Sequence, residues 1–180
     1  MENQAPTKSL EFDLPVEEGN VQITEGVSYL SLVERHRGTG SVTNGFVSGF
    51  GYTGSMAIAS SVAHDSHHMI VVGTDRKLMA AAANRLGEVG GGITLWKDDA
   101  ERALVELPIA GLMSDSQAAQ VANKAQAIIS AMIDCGCSLN NAYMQHTLLA
   151  LVVIPELRIS DLGLVDVSRF ELTEVISPKS

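Results

Sequence analysis

The sequence predicts an α/β or α+β layer fold, a mixed sheet covered by helices, with no (β/α)8 barrel. Three observations predict it. Short apolar or β-branched runs bounded by glycine recur along the chain, as strands do. Two longer stretches with helical apolar spacing each follow such runs. The 180 residues suffice for one core that buries roughly two-thirds of the unfolded surface, yet fall well short of the roughly 250 residues usual for a (β/α)8 barrel.

Residues 1–9 are polar and read as a flexible tail, which leaves 10–178 as a single domain. Alternation then suggests short strands at Leu10–Leu14, Val21–Thr24 and Gly26–Glu34. The Gly-, Ser- and Thr-rich stretch Arg37–Ser55 surrounds Phe46-Val47, a further strand bounded by turns. Met69–Val72 is an apolar run ending at Gly73. Asp75 can cap a helix from Arg76 to about Glu88, whose apolar face carries Leu78, Met79, Ala82, Ala83 and Leu86. The same order recurs with strands at Gly92–Trp96 and Ala103–Leu107, followed by a helix capped by Ser114 or Asp115 and running to about Asp134. That recurrence suggests a degenerate ββα duplication, Met56–Glu88 against Gly91–Asp134. A last helical segment, Asn141–Val152, ends before Pro155, and Val165–Val167 and Phe170–Ile176 read as closing strands.

A net charge of -9 repels phosphate backbones, so nucleic acid is not an expected partner. No apolar run reaches the eighteen or so residues of a membrane span, and the N-terminus lacks a secretory pattern, so a cytoplasmic protein without membrane association is expected. Cys135 and Cys137 flank a single glycine, too close for an ordinary disulfide and too few for a closed zinc site. They read as reduced thiols near a helix end.

The densest polar cluster is His64-Asp65-Ser66-His67-His68, set between two apolar segments. Imidazole and carboxylate suit zinc, iron or manganese. On a helix His64, His67 and His68 share a face, whereas on a strand only His64 and His68 do. His64, Asp65 and His67 are the candidate ligands of a small independent metal site with hydrolytic or ligand-binding activity. The plainer alternative is that these histidines cap a turn and hydrogen-bond to backbone and carboxylates. A Ser-His-Asp triad is disfavoured, because triad members normally converge from separate elements.

Three further segments carry chemistry. Gly49-Phe50-Gly51-Tyr52-Thr53-Gly54 fits the dinucleotide fingerprint, with Asp75 about twenty residues on, provided that Ser55–Ser66 is a helix. Otherwise its glycines serve a tight connection. Glu34-Arg35-His36-Arg37-Gly38-Thr39-Gly40 offers an anion site from two guanidiniums and free backbone N–H groups, or a solvated strand end with local ion pairs. Glu156, after Ile154-Pro155, reads as a ligand or general base, or as a carboxylate capping a turn.

Taken together, Glu34–His36, Gly38–Gly40, Gly45–Val47, Gly49–Gly51, Ile58–His67, Ile70–Thr74, Gly90–Gly92, Leu107–Asp115, Val153–Leu157 and Gly163–Val167 resemble, in order and spacing, the C-terminal domain of adenine deaminases. The likeness spans about Leu10 to Ile176. It departs from the family pattern at Arg37, at His68, where an Asn is expected, and over Ala142–Leu149. The resemblance implies hydrolysis of adenine to hypoxanthine and ammonia by an amidohydrolase barrel that binds manganese or iron through histidines and carboxylates. No His-x-His pair follows an early strand here, so those ligands are expected outside these 180 residues. The chain alone is then expected to hold no cofactor and not to deaminate. Its expected partner is a barrel subunit or a second copy of itself, with adenine bound only in such an assembly. Any contribution to an active site would come from His68, Arg35, His36 and Glu156.

Overall fold

A computed structural model describes residues 5–176, so the tail residues 1–4 and the expected domain limit at 177–178 lie outside the described residues. The elements run β1 (Val16–Glu17), β2 (Asn20–Val21), β3 (Val27–Val33), β4 (Val42–Ser48), β5 (Met56–Ser60), β6 (Met69–Gly73), α1 (Arg76–Val89), β7 (Gly92–Lys97), β8 (Ala100–Glu106), α2 (Ala118–Asp134), α3 (Ala142–Leu148), β9 (Leu157–Ser160), β10 (Gly163–Asp166) and β11 (Glu171–Thr173). This is the predicted layer fold. Its centre is a six-stranded sheet in the order β4-β3-β6-β5-β7-β8, and every pairing in it is antiparallel.

Burial explains the sequence patterns. Strands β5 and β6 sit in the middle of the sheet and are buried on both faces, which is why MAIAS and MIVVG are continuous apolar runs. In β3 the alternation of Leu30 and Leu32 with Tyr29 and Val33 divides the two faces. On one face, Leu78, Met79, Ala82 and Leu86 of α1 pack on Ala57, Ala59, Met69 and Val71. On the other, Ile128, Ala131 and Met132 of α2 meet Ile58, Ile93 and Leu95. Beside α2 lie α3, against β6, and the three-stranded sheet β11-β10-β9, against β4.

The order ββα recurs as β5-β6-α1 and β7-β8-α2, but the two helices cover opposite faces of the sheet. The repetition is therefore one of element order. A rigid two-fold between β5 and β7 would leave both helices on the same face.

Several boundaries differ from the sequence reading for identifiable reasons. No strand forms over Leu10–Leu14. The first pairing is the hairpin β1-β2, whose two-residue turn, Glu18-Gly19, has both φ values positive. Residues 5–9 are tied down: Thr7 N donates to Pro155 O at 3.0 Å, Glu156 N to Thr7 O at 3.2 Å, and Ser9 N to the Glu156 carboxylate at 2.9 Å. Helix α2 starts at Ala118 rather than after Ser114 or Asp115. Gln117 is its N-cap and makes no side-chain cap bond, while Ser114 Oγ accepts from Ser116 N in a local turn. Helix α3 is shorter than expected, ending at Leu148, and β9 was not anticipated.

The dinucleotide reading fails on the fold. Gly49–Gly54 connects β4 to β5, and the segment after it is a strand instead of a helix, so no helix N-terminus faces the glycines. Gly51 has φ of +78° and packs against Gly136 O, while Phe50 and Tyr52 turn into the core.

Candidate functional site

Antiparallel register gathers four connections at one end of the six-stranded sheet. Val33 at the end of β3 pairs with Met69 at the start of β6, Ser60 at the end of β5 pairs with Ile93 near the start of β7, and Gly92 pairs with Glu106 at the end of β8. The loops 34–41, 61–68, 90–91 and 107–117 therefore meet at this end. They bring together the histidine cluster and the Glu34–Gly40 segment, 30 residues apart in sequence.

Glu34 organises its own loop. Its buried carboxylate accepts from His36 N at 2.6 Å, Arg37 N at 2.7 Å, Thr39 N at 3.0 Å and Thr39 Oγ1 at 2.9 Å. These hydrogen bonds, led by the Thr39 and Arg37 amides, hold its pKa down to about 2. The backbone donors that sequence offered to an external anion are thus already taken by an internal one, which corrects the anion-site reading.

Arg35 ties three loops together. Its Nε donates to His67 O at 2.6 Å and its Nη2 to Ala110 O at 2.9 Å, and burial lowers its pKa. His68 is buried with Nδ1 at 3.4 Å from Arg35 N, where it accepts, and 3.9 Å from the Glu34 carboxylate. Its Nε2 lies 3.7 Å from Asp161, which also approaches Arg37 at 3.7 Å. Burial outweighs these carboxylates and lowers the His68 pKa. His36 Nε2 lies 2.6 Å from Ser66 O, and its ring packs on that of His68 at 4.6 Å. Ala63 N donates to His67 Nδ1 at 3.3 Å, and burial, followed by His64, lowers the His67 pKa. His64 meets His67 edge-on at 5.5 Å.

The histidine segment is a turn-rich loop, neither helix nor strand, and its imidazoles are largely engaged with backbone and carboxylates. Among the described residues no three His, Cys, Asp or Glu side chains are placed to hold a metal ion, so His64, Asp65 and His67 do not form a ligand set in this geometry. Glu156 is not brought to the cluster. It precedes β9, whereas Asp161 follows it, a separation of roughly 16 Å of extended chain, and its carboxylate binds Ser9 N.

Sequence reasoning missed three contributors. Ser61 is fully buried. Its Oγ accepts from Gly92 N at 2.7 Å and donates to Gly111 O at 2.6 Å, which joins the loop after β5 to the loop after β8. The triple glycine Gly90-Gly91-Gly92 was the available signal for this close approach: a Cβ on Gly91 would fall 2.4 Å from Gly111 Cα, and one on Gly92 2.1 Å from Val105 O. Asp161 had no local signal, since it arrives from a distant hairpin. Nor did the buried pair Tyr52–His146, in which burial pushes the histidine down to about 3 and the phenol oxygen lies in hydrogen-bond contact with Nε2 at 2.6 Å. Cys135 and Cys137 are free and buried, with their thiols pushed up by burial.

None of the described helices is long and apolar enough to cross a membrane. The family model of the adenine deaminase C-terminal domain matches residues 4–171. Among curated relatives, the adenine deaminase of Roseobacter denitrificans is 74% identical over 98% of this chain and 29% of its own length. That of Ruegeria pomeroyi is 71% identical over 99% of this chain and 30% of its own, and that of Moorella thermoacetica is 42% identical over 98% and 30%. The chain thus spans about 30% of the length of the relatives it matches.

Proposed function

Because the chain belongs to the adenine deaminase C-terminal domain family, we propose that it acts as an accessory domain of a purine-deaminating hydrolase, the catalytic portion of which corresponds to the remaining 70% or so of the relatives' length. The assembled enzyme converts adenine and water to hypoxanthine and ammonia. The observation that carries this reading is the match of nearly the whole chain to only 29–30% of each such protein.

The chemistry of the cluster supports a structural rather than a self-sufficient role. Attack of water on the purine C6 needs an activated nucleophile, and a divalent metal is one way to lower the pKa of that water. Among the described residues no three donors converge to hold such a metal. In this reading the manganese or iron of the family reaction is held by the catalytic portion. His67 and His68 are held towards the neutral form, Glu34 is spent on its own loop, and Arg35 clamps two carbonyls. These groups rigidify a surface. Where they meet the catalytic portion, they can position its loops or exclude water from its site.

The purified chain, incubated with adenine and manganese or ferrous iron, is expected to yield no hypoxanthine above buffer. Metal-dependent turnover that disappears in His64→Ala would contradict the proposal and restore the independent metal site.

A further inference from the structure

The segment 109–113 presents Ile109, Leu112 and Met113 to solvent beside the polar cluster, with Met113 58% exposed. Exposed loop tips are ordinarily mobile and polar. This one is apolar and held by four hydrogen bonds, two within it and two from other loops. Ile109 N donates to Met113 O and Met113 N to Ile109 O, both at 3.1 Å; Arg35 Nη2 donates to Ala110 O at 2.9 Å; the buried Ser61 hydroxyl donates to Gly111 O at 2.6 Å. The Arg35 guanidinium lies so close to Gly111 that a Cβ there would come within 3.0 Å of it, and Ala110 sits at φ of +58°, a conformation that costs a non-glycine residue of order 1 kcal/mol.

The Ser61 bridge to Gly111 O also ties the lip to the interior, but the three apolar side chains are exposed, so the bracing fixes a surface that they do not help to bury. A tip held in one conformation in advance loses little entropy on docking, which is the arrangement expected where a partner is to be received. A methionine among the three suits an adaptable contact.

Resting on the accessory-domain reading, we infer that the lip Ile109–Leu112–Met113 is the surface that seats this domain on an apolar socket of the catalytic portion, the roughly 70% of the relatives' length that lies outside the match. Arg35 bonds both the lip and the His67 carbonyl, so seating the lip brings the His64–His67 loop to the same boundary.

The test uses the full-length Roseobacter denitrificans adenine deaminase with this chain replacing the portion it matches, compared with this chain alone. Sulfoxide formation in dilute hydrogen peroxide is followed by mass spectrometry at Met113 and, as an internal control, at Met144, which is 41% exposed on α3. The expected result is Met113 oxidation slowed roughly fivefold or more in the full-length protein while Met144 is unchanged, because thioether oxidation follows access. The double variant Leu112→Lys/Met113→Lys is expected to lower the full-length protein's Tm and leave that of the isolated chain unchanged. Equal Met113 rates in a full-length protein that deaminates adenine would overturn the lip assignment alone. Protection of Met113 in the isolated chain that rises with its concentration would overturn it in favour of a second copy. A full-length protein that folds but does not deaminate adenine, with equal Met113 rates, would overturn the accessory-domain reading as well.

Discussion

At the scale of single residues, two buried groups set the acid behaviour. Folding holds the His146 pKa near 3, below its ordinary 6.5, so between these values the unfolded chain takes up a proton that the folded chain refuses. Stability is then complete above about pH 6.5 and falls as pH drops towards 3, with His67 and His68, also shifted down, acting in the same direction. Glu34 adds a second limb: its stabilisation is complete above about 4.5 and is lost as pH falls through about 2. Urea midpoints at pH 7 and pH 4.5 are expected to differ less in His146→Gln than in the unmodified chain; an unchanged difference would contradict the assignment. Tyr52→Phe, which leaves the buried His146 Nε2 without its hydrogen-bond partner, is expected to cost about 1–3 kcal/mol in the same assay at pH 7. The sequence made the histidine cluster visible but not the partners of its members. The histidines at 64, 67 and 68 stood out locally, whereas Asp161, Tyr52 and Ser61 acquire their meaning only through contacts between segments distant in sequence.

At the scale of elements, local signals decided what was legible. Asp75 was readable as a cap because its carboxylate is adjacent to the amides it serves, Lys77 N at 2.8 Å and Leu78 N at 3.2 Å. Asp75→Ala is expected to cost about 1 kcal/mol. The start of α2 was misplaced because Ser114 and Asp115 are good caps in the abstract, whereas the loop from Leu107 is pinned by Ser61 and Arg35 and delays the helix to Ala118. Since Gln117 makes no side-chain cap bond, Gln117→Ser is expected to stabilise the domain by about 0.5–1 kcal/mol in thermal unfolding, and a loss would argue against this N-cap assignment. Strands β5 and β6 show why a short apolar run is ambiguous. Burial on both faces erases the alternation that distinguishes strand from helix. The small sheet β9–β11 was only partly legible, because it packs on β4 through few apolar positions and leaves Phe170 and Leu172 exposed.

At the scale of the whole molecule, helices on opposite faces of one antiparallel sheet leave the sheet's end as the place where loops can be combined, and four of the chain's five histidines lie there. The fold class and the family were legible, because several separate segments matched in order. The proposed lip was not, because Ile109, Leu112 and Met113 become one exposed surface only through the bridge between Ile109 and Met113. Gly91→Ala, which forces the Ser61 and Gly111 loops apart, is expected to lower Tm by roughly 5 °C or more in the isolated chain. In the full-length setting it is also expected to reduce adenine turnover, because it disturbs the braced end and not only the core.

The most direct measurement is adenine consumption, with hypoxanthine identified as product, by the full-length Roseobacter denitrificans protein carrying this chain in place of the 29% it matches. Turnover comparable to that of the unmodified protein, with none from this chain alone, is the predicted result. A well-folded hybrid without turnover, or equal turnover by the isolated chain, would contradict the account of this chain as the accessory domain of an adenine deaminase.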